Sequence, residues 1–295
     1  MELPLSKELT HKQYIKRAKS IQFFEKLANG IFKPKSKLMG KEMFIDTNFG
    51  KIRILVYGFE NKSKSPVFFD LHGGGFVLGS ADMDEIMNIE FNKQIGCKVI
   101  SIDYAKAPEN QYPKAINQIY AIINYFYDNA EKYFIDINKL AIGGHSAGGN
   151  LSTVICLKAK KEGKFRFVCQ VLDYPPLDLA TSAYKKPSPK GCIPPQMATM
   201  FDRCYCDFSQ LKEPYVSPVY ATQEELKGLP PALFIIPGMD SLHDEGVMYY
   251  NMLKAVGVTT ELYEYPSALH GFTYKPSADA NDAIEKIIMF LQKYL

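Results

Sequence analysis

The sequence predicts an α/β fold: a mostly parallel central sheet flanked by helices, with a small helical cap. Three observations predict it. From about residue 43 onward, short β-branched and aromatic runs alternate with longer segments of helical period. Two segments, 1–40 and 175–214, fall outside that alternation and read as the cap, leaving 41–174 and 215–295 as the core. The length of 295 residues, with 46% hydrophobic and 23% charged residues, suits one large domain rather than two.

The elements follow in order. Ile52–Tyr57 and Pro66–Leu71 read as strands separated by the polar turn Glu60–Ser65. Asp82–Ile95 reads as a helix with acidic residues in its first turn and Gly96 as its stop. Lys98–Asp103 is a buried strand, and Pro113 opens a helix whose Ile116, Ile119, Tyr120, Ile123 and Phe126 form one apolar face. Leu140–Gly143 is a short strand and Ala147–Lys161 the helix after it. Phe165–Leu172, Ala232–Ile236 and Thr260–Tyr265 are three more strands; a helix from Ser241 to about Val256 separates the last two, and Ala278–Tyr294 closes the chain. Between them, 175–214 holds a loop with Pro187, Pro189, Pro194 and Pro195, then a stretch carrying Met197, Met200, Phe201 and Tyr205, the composition of a packed lid rather than a linker.

Composition excludes several function classes. No run approaches ~18 consecutive apolar residues, so no membrane span is expected, and Met1–Ser20 lacks the apolar middle of a secretory signal. The net charge is +3, and the four arginines (Arg17, Arg53, Arg166, Arg203) are scattered, which speaks against a nucleic-acid partner. The six cysteines form no paired ligand set and read as reduced thiols of a cytoplasmic protein. No His/Cys/Asp/Glu cluster has metal spacing in the sequence, so neither metal nor cofactor is expected.

Three stretches carry chemistry. Gly144-His145-Ser146-Ala147-Gly148 lies between a strand and a helix, where a tight turn exposes a serine hydroxyl and crowds the backbone enough to want glycine two residues to either side. His72-Gly73-Gly74-Gly75-Phe76 follows the Pro66–Leu71 strand; its bare N–H groups, with that of Ala147, would surround a forming oxyanion. It lacks the spacing and lysine of a phosphate loop, and His72 is expected to order the loop by hydrogen bonding. Late in the chain, Asp240 and His270 each follow a strand. Parallel strands share one carboxyl edge, so Ser146, Asp240 and His270 are expected to converge there, in the chain order that an α/β-hydrolase sheet imposes.

Rivals for these roles are few. Among the five histidines, His11 precedes the sheet, His145 neighbours the serine on a turn that points adjacent side chains apart, and His243 belongs to the acid segment. Asp244 and Glu245 fall inside the next helix, where a first-turn acid serves the helix dipole. Asp103, Asp173 and Asp178 read as loop or cap residues.

With these residues in hand, the sequence resembles the hormone-sensitive-lipase-like esterases of the α/β-hydrolase fold. The resemblance rests on His72–Phe76, Asp103–Glu109, Gly144–Asn150, Asp240–Glu245 and His270–Phe272, and runs over roughly 45–295. It implies a Ser146–His270–Asp240 triad, an oxyanion hole from the N–H groups of Gly74, Gly75 and Ala147, a cap built from 1–40 and 175–214, a preference for short acyl groups, and members that often form homodimers. The sequence departs from the family at His145, where aspartate is common, and at Ala105 and His243, where the family carries arginine. The expected activity is serine carboxylic-ester hydrolysis of a small-molecule ester through an acyl-enzyme. Two other readings fit the same residues: an amide or small-peptide hydrolase, and a non-catalytic ligand-binding homologue, which the presence of His270 disfavours.

Overall fold

The computed structural model describes residues 9–32 and 38–295. Residues 1–8 and 33–37 of the expected cap lie outside the described residues. The chain runs α1 (His11–Phe32), β1 (Lys41–Thr47), β2 (Gly50–Tyr57), β3 (Ser65–Leu71), α2 (Glu85–Ile95), β4 (Lys98–Asp103), α3 (Lys114–Asp128), α4 (Ala130–Tyr133) and β5 (Ile135–His145). It continues with α5 (Ala147–Glu162), β6 (Cys169–Asp173), α6 (Pro195–Tyr205), α7 (Gln223–Leu226), β7 (Ala232–Met239), α8 (His243–Ala255), β8 (Thr260–Leu269) and α9 (Ala278–Tyr294).

The described strands form one sheet in the order β1-β2-β4-β3-β5-β6-β7-β8. β2 pairs antiparallel with β1 and β4, and every other pairing is parallel. Side chains alternate faces along each strand, so successive residues feed two different cores. Phe69, Ile100, Ile142, Leu172 and Phe234 meet α3, α5 and α8 on one face. Their neighbours Phe68, Val99, Ala141, Val171 and Leu233 meet α2 and α9 on the other. Both faces being covered, the inner strands are apolar throughout, which is why they stand out as short unbroken runs.

Three elements differ from expectation for identifiable reasons. β1 shows only the short apolar run Met43–Ile45 between charged residues because it is an edge strand: Ile45 is buried, while Lys41, Glu42 and Asp46 face outward. Phe165 and Phe167 were expected in a strand that begins only at Cys169; they are buried by stacking edge to face against one another, 5.5 Å apart, and apolarity here marks burial rather than pairing. The helix expected from Asp82 opens as a 3-10 turn, Ala81–Asp84, and ends on Gly96, whose left-handed backbone lets its N–H reach the Asn92 carbonyl.

The two segments expected as the cap meet each other. Tyr14 and Ala18 of α1 pack on Met200 and Cys204 of α6, with Val77 and Ala107 beneath. Gln22 spans the carbonyls of Val77 and Ala107 at 2.9 Å each, and Tyr205 stacks on Phe76 with ring centroids 3.9 Å apart. Ile142→Ala in the central strand, wholly buried, is expected to cost about 2–5 kcal/mol in urea unfolding. A cost near zero would contradict the packing described.

Candidate active site

β3 sits between β4 and β5, so the chain leaves it first to one side and then to the other. Such a switch in direction opens a crevice at the carboxyl ends of the strands. Leu71 pairs with Gly144, which sets the ends of β3 and β5 level. The glycine loop leaves one strand and the serine turn the other, and they face each other across the crevice.

Ser146 sits at φ 53° and ψ −119°, a left-handed conformation that costs a non-glycine residue of order 1–3 kcal/mol. Its N–H donates to the Asp173 carbonyl at 2.8 Å, fastening the turn to β6. The turn has no room to relax: a Cβ on Gly148 would lie 1.8 Å from the Leu71 carbonyl oxygen.

Across the sheet edge, Met239 of β7 pairs with Leu269 of β8, so Asp240 and His270 emerge side by side. His270 Nδ1 lies 2.7 Å from Asp240 Oδ2, and His270 Nε2 lies 2.9 Å from Ser146 Oγ. Asp240 is buried, and its other oxygen accepts the Leu242 N–H at 3.2 Å. The three expected residues thus form one hydrogen-bonded chain. A proton on Nδ1, held toward Asp240, leaves Nε2 as the acceptor for the serine hydroxyl, which is the arrangement general-base activation requires.

Beside Ser146 the glycine loop is held open by its own backbone. Gly74 has φ 119°, and a Cβ there would lie 2.2 Å from the Leu78 carbonyl oxygen, so only glycine fits. Ala147 is the first residue of α5, where the N–H lies outside the intrahelical ladder. His72 is buried, donates from Nδ1 to the Gly73 carbonyl at 2.7 Å and stacks on Tyr104 at 4.2 Å. Burial, joined by the charge of Lys106, pushes its pKa down to about 4. A neutral ring fixing the loop is what this geometry provides.

Loop and chain of hydrogen bonds border one cavity of about 380 Å³. Ile193, Pro195, Met197 and Phe201 from the segment 175–214 form its apolar wall, while Met200 and Tyr205 are buried within that segment. The same stretch therefore supplies both pocket lining and its own core.

The α/β-hydrolase-fold family profile matches residues 68–274. The chain belongs to this family. It falls in the hormone-sensitive-lipase-like branch, and several of the proteins it resembles carry esterase names. A carboxylic ester hydrolase, LipN of Mycobacterium tuberculosis, is 34% identical over 218 residues, covering 70% of this chain and 57% of LipN. A putative α/β-hydrolase, R526 of Acanthamoeba polyphaga mimivirus, is 32% identical, covering 72% of this chain and 62% of R526. Among solved structures, a thermostable esterase from Pseudomonas putida superposes with a TM-score of 0.82 at 30% identity, covering 97% of this chain and 91% of that one.

Within this hydrolase the rival residues are engaged elsewhere. His243 bridges Asp244 and Glu264 at 2.9 Å each near the surface. Glu245 is buried, accepts the N–H of Leu177 and Asp178, and pairs with Lys186 at 2.5 Å. Asp103 pairs with Lys106 and with Arg53, which also grips Asp82 through two nitrogens at 2.8 and 2.9 Å. Burial works against ionisation of Asp82, but the Arg53 hydrogen bonds prevail and hold its pKa down to about 2. No described helix is long and apolar enough to cross a membrane.

One expectation is corrected. Asp173 is no loop or cap residue: it ends β6, is wholly buried, and meets His145 Nδ1 at 2.5 Å. A ring nitrogen of His145 and carboxylate oxygens of Asp70 and Asp84 also lie within 4.8 Å of one another. Asp70, Asp84 and His145 come from three separate elements, so no spacing in the sequence announces the cluster. Gly148→Ala is expected to displace the serine turn. Soluble protein should retain its far-UV circular dichroism yet lose about 10²-fold or more in turnover of a p-nitrophenyl ester.

Proposed function

We propose that the protein is a serine carboxylic-ester hydrolase acting through an acyl-enzyme, with Ser146, His270 and Asp240 as the catalytic triad. The observation that carries this reading is the unbroken chain Ser146 Oγ–His270 Nε2 at 2.9 Å and His270 Nδ1–Asp240 Oδ2 at 2.7 Å, opening onto the glycine-edged cavity. As Ser146 Oγ attacks the ester carbonyl, His270 Nε2 takes its proton, and Asp240 stabilises the imidazolium through Nδ1–H. Negative charge that develops on the carbonyl oxygen is met by the N–H groups of Gly74, Gly75 and Ala147; each such donor is worth ~3 kcal/mol in the barrier. Collapse expels the alcohol, which receives the proton from Nε2. Water, deprotonated by the same nitrogen, then attacks the acyl-enzyme and releases the acid.

The substrate class follows from the pocket. Its volume of about 380 Å³ falls at the small end for ligand sites, and its walls are largely apolar. A small ester with a short acyl chain fits that space, with the segments 1–40 and 175–214 acting as the cap that sets preference. Six free cysteines suit residence in a reducing cytoplasm.

Ser146→Ala and His270→Ala are expected to unfold at wild-type temperatures and to lose at least about 10⁴-fold in turnover of a p-nitrophenyl ester. Either variant turning over at the wild-type rate would refute the triad. Across a series of acyl lengths, kcat/KM is expected to be highest at about four carbons or fewer; a maximum at long chains would refute the short-acyl reading. A fluorophosphonate probe should label Ser146, and a silent serine would point to a non-catalytic binding protein.

A further inference from the structure

Behind the first imidazole–carboxylate pair lies a second one that the proposed reaction does not use. His145 is buried at the end of β5, one residue before Ser146, with its side chain turned down into the protein. Its Nδ1 meets Asp173 Oδ2 at 2.5 Å, and that same oxygen accepts the Thr273 hydroxyl at 2.9 Å. Thr273 also meets the Tyr174 hydroxyl at 2.5 Å. A ring nitrogen of His145 also lies within 4.8 Å of carboxylate oxygens of Asp70 and Asp84, and Asp84 Oδ1 accepts the Tyr274 hydroxyl at 2.6 Å. Thr273 and Tyr274 belong to the loop that carries His270. The ring of Tyr274 lies 5.1 Å from that of His145, and the ring of Tyr174 stands edge-on to His270 at 4.8 Å.

The serine turn and the base loop are therefore joined beneath the cavity through carboxylates that His145 holds together. We propose that His145, as an imidazolium, is a positioning residue that fixes the His270 loop against the Ser146 turn through Asp173–Thr273 on one side and Asp84–Tyr274 on the other. The inference rests on the triad reading above.

The charges of the cluster support it. Three carboxyl groups lie out of water, and each needs a proton or a cation nearby. Carboxylate oxygens of Asp70 and Asp84 lie within 4.8 Å of one another, and two buried carboxylates so close favour a proton on one of them. Burial and then the charge of Asp70 push Asp84 up to about 8, and burial likewise raises Asp70. Asp70 is further held by Asn88 at 2.8 Å and Ser101 at 2.6 Å. Burial would lower His145, but the hydrogen bond to Asp173 and the nearby carboxylates raise it to about 9. The remaining titratable groups against it, Tyr174 and Tyr274, are both pushed well up by burial and stay neutral.

The sign follows. His145, raised from 6.5, lends its stabilisation in full below that pH and loses it as pH climbs through about 9. Asp84 ionises over the same rise, near 8, so negative charge accumulates on the buried cluster from both groups. The His270 loop should loosen on the alkaline side, lowering kcat more than it raises KM.

The test compares wild type, His145→Gln, Thr273→Val and Thr273→Ser, with Ser146→Ala as the control for the triad reading. His145→Gln is expected to lose roughly 10²-fold in kcat with KM within about twofold, and its alkaline limb to differ from that of wild type. Thr273→Val leaves His145 in place and removes one hydroxyl. It should lose about tenfold in kcat, and Thr273→Ser should restore it. Nitrogen-15 spectra of the wild-type protein at about pH 7.5 should show both ring nitrogens of His145 protonated. A neutral His145 ring, a Thr273→Val variant with wild-type kcat and pH profile, or a stoichiometric metal ion in the purified protein would each overturn the proposal. If Ser146→Ala is inactive while His145→Gln keeps the wild-type kcat and alkaline limb, positioning is wrong and the esterase reading stands. An active Ser146→Ala removes both.

Discussion

The pairing of β3 with β5 is the constraint on which the rest of the site depends. Leu71 lies opposite Gly144, and the Leu71 carbonyl presses on both glycines of the serine turn: a Cβ would lie 2.2 Å away at Gly144 and 1.8 Å away at Gly148. Strand register and the glycine spacing of the motif are thus one requirement seen from two sides. A slip of one residue would exchange the faces to which adjacent side chains point. It would turn the His145 ring toward the cavity and drive Ser146 into the protein. The left-handed backbone at Ser146 is sustained because the strands on either side leave it no alternative.

What could be read in the sequence was what has a local signature. The glycines around Ser146 and after His72 mark places where backbone crowds backbone, and that need is written within five residues. Asp240 and His270 were placed by a different argument: each follows a strand, and the parallel sheet brings the carboxyl ends of strands to one edge. Their pairing through Met239 and Leu269 realises it. Edge strand β1 had only three apolar residues, Met43–Ile45, flanked by charges, too short a run to stand out. Asp173 was misassigned because a polar residue closing an apolar run resembles a loop residue until its partner is known, and that partner, His145, lies 28 residues away. Asp70 and Asp84 are equally silent, since nothing near either residue names His145.

Ion pairs hold the chain near both positions where it departs from the family's arginines. The sequence departs from the family it resembles at Ala105 and His243, where arginine is common. In the folded chain Arg53 of β2 reaches over to grip Asp82 and Asp103, with Glu42 at its edge, and so braces the loops after β3 and β4 from a different strand. Lys106 completes the pairing with Asp103 at 2.6 Å. At the second position, Glu245 keeps a cation through Lys186 from the segment 175–214, tying that segment to α8. Lys186 also lines the cavity, as does Asp202, which burial pushes up to about 7 against the pull of Lys186. These polar groups interrupt an otherwise apolar wall.

The two imidazole–carboxylate pairs differ in the one respect that separates the base proposed at His270 from the brace proposed at His145. His270 has a single carboxylate on Nδ1, while its Nε2 faces a hydroxyl at the cavity, so a proton can arrive and leave. His145 has carboxylates on both flanks and no opening to the cavity, so its proton is held from every direction. Surrounding a histidine with more negative charge raises its affinity for a proton and makes it a poorer base at neutral pH. The base role proposed for His270 rests on one partner and an exit; in the proposal for His145, the exit is closed and the partners multiplied, which gives a fixed positive charge. In the arrangement we propose, that charge lies one residue from Ser146, and a single buried side chain orients two loops without competing for the serine proton.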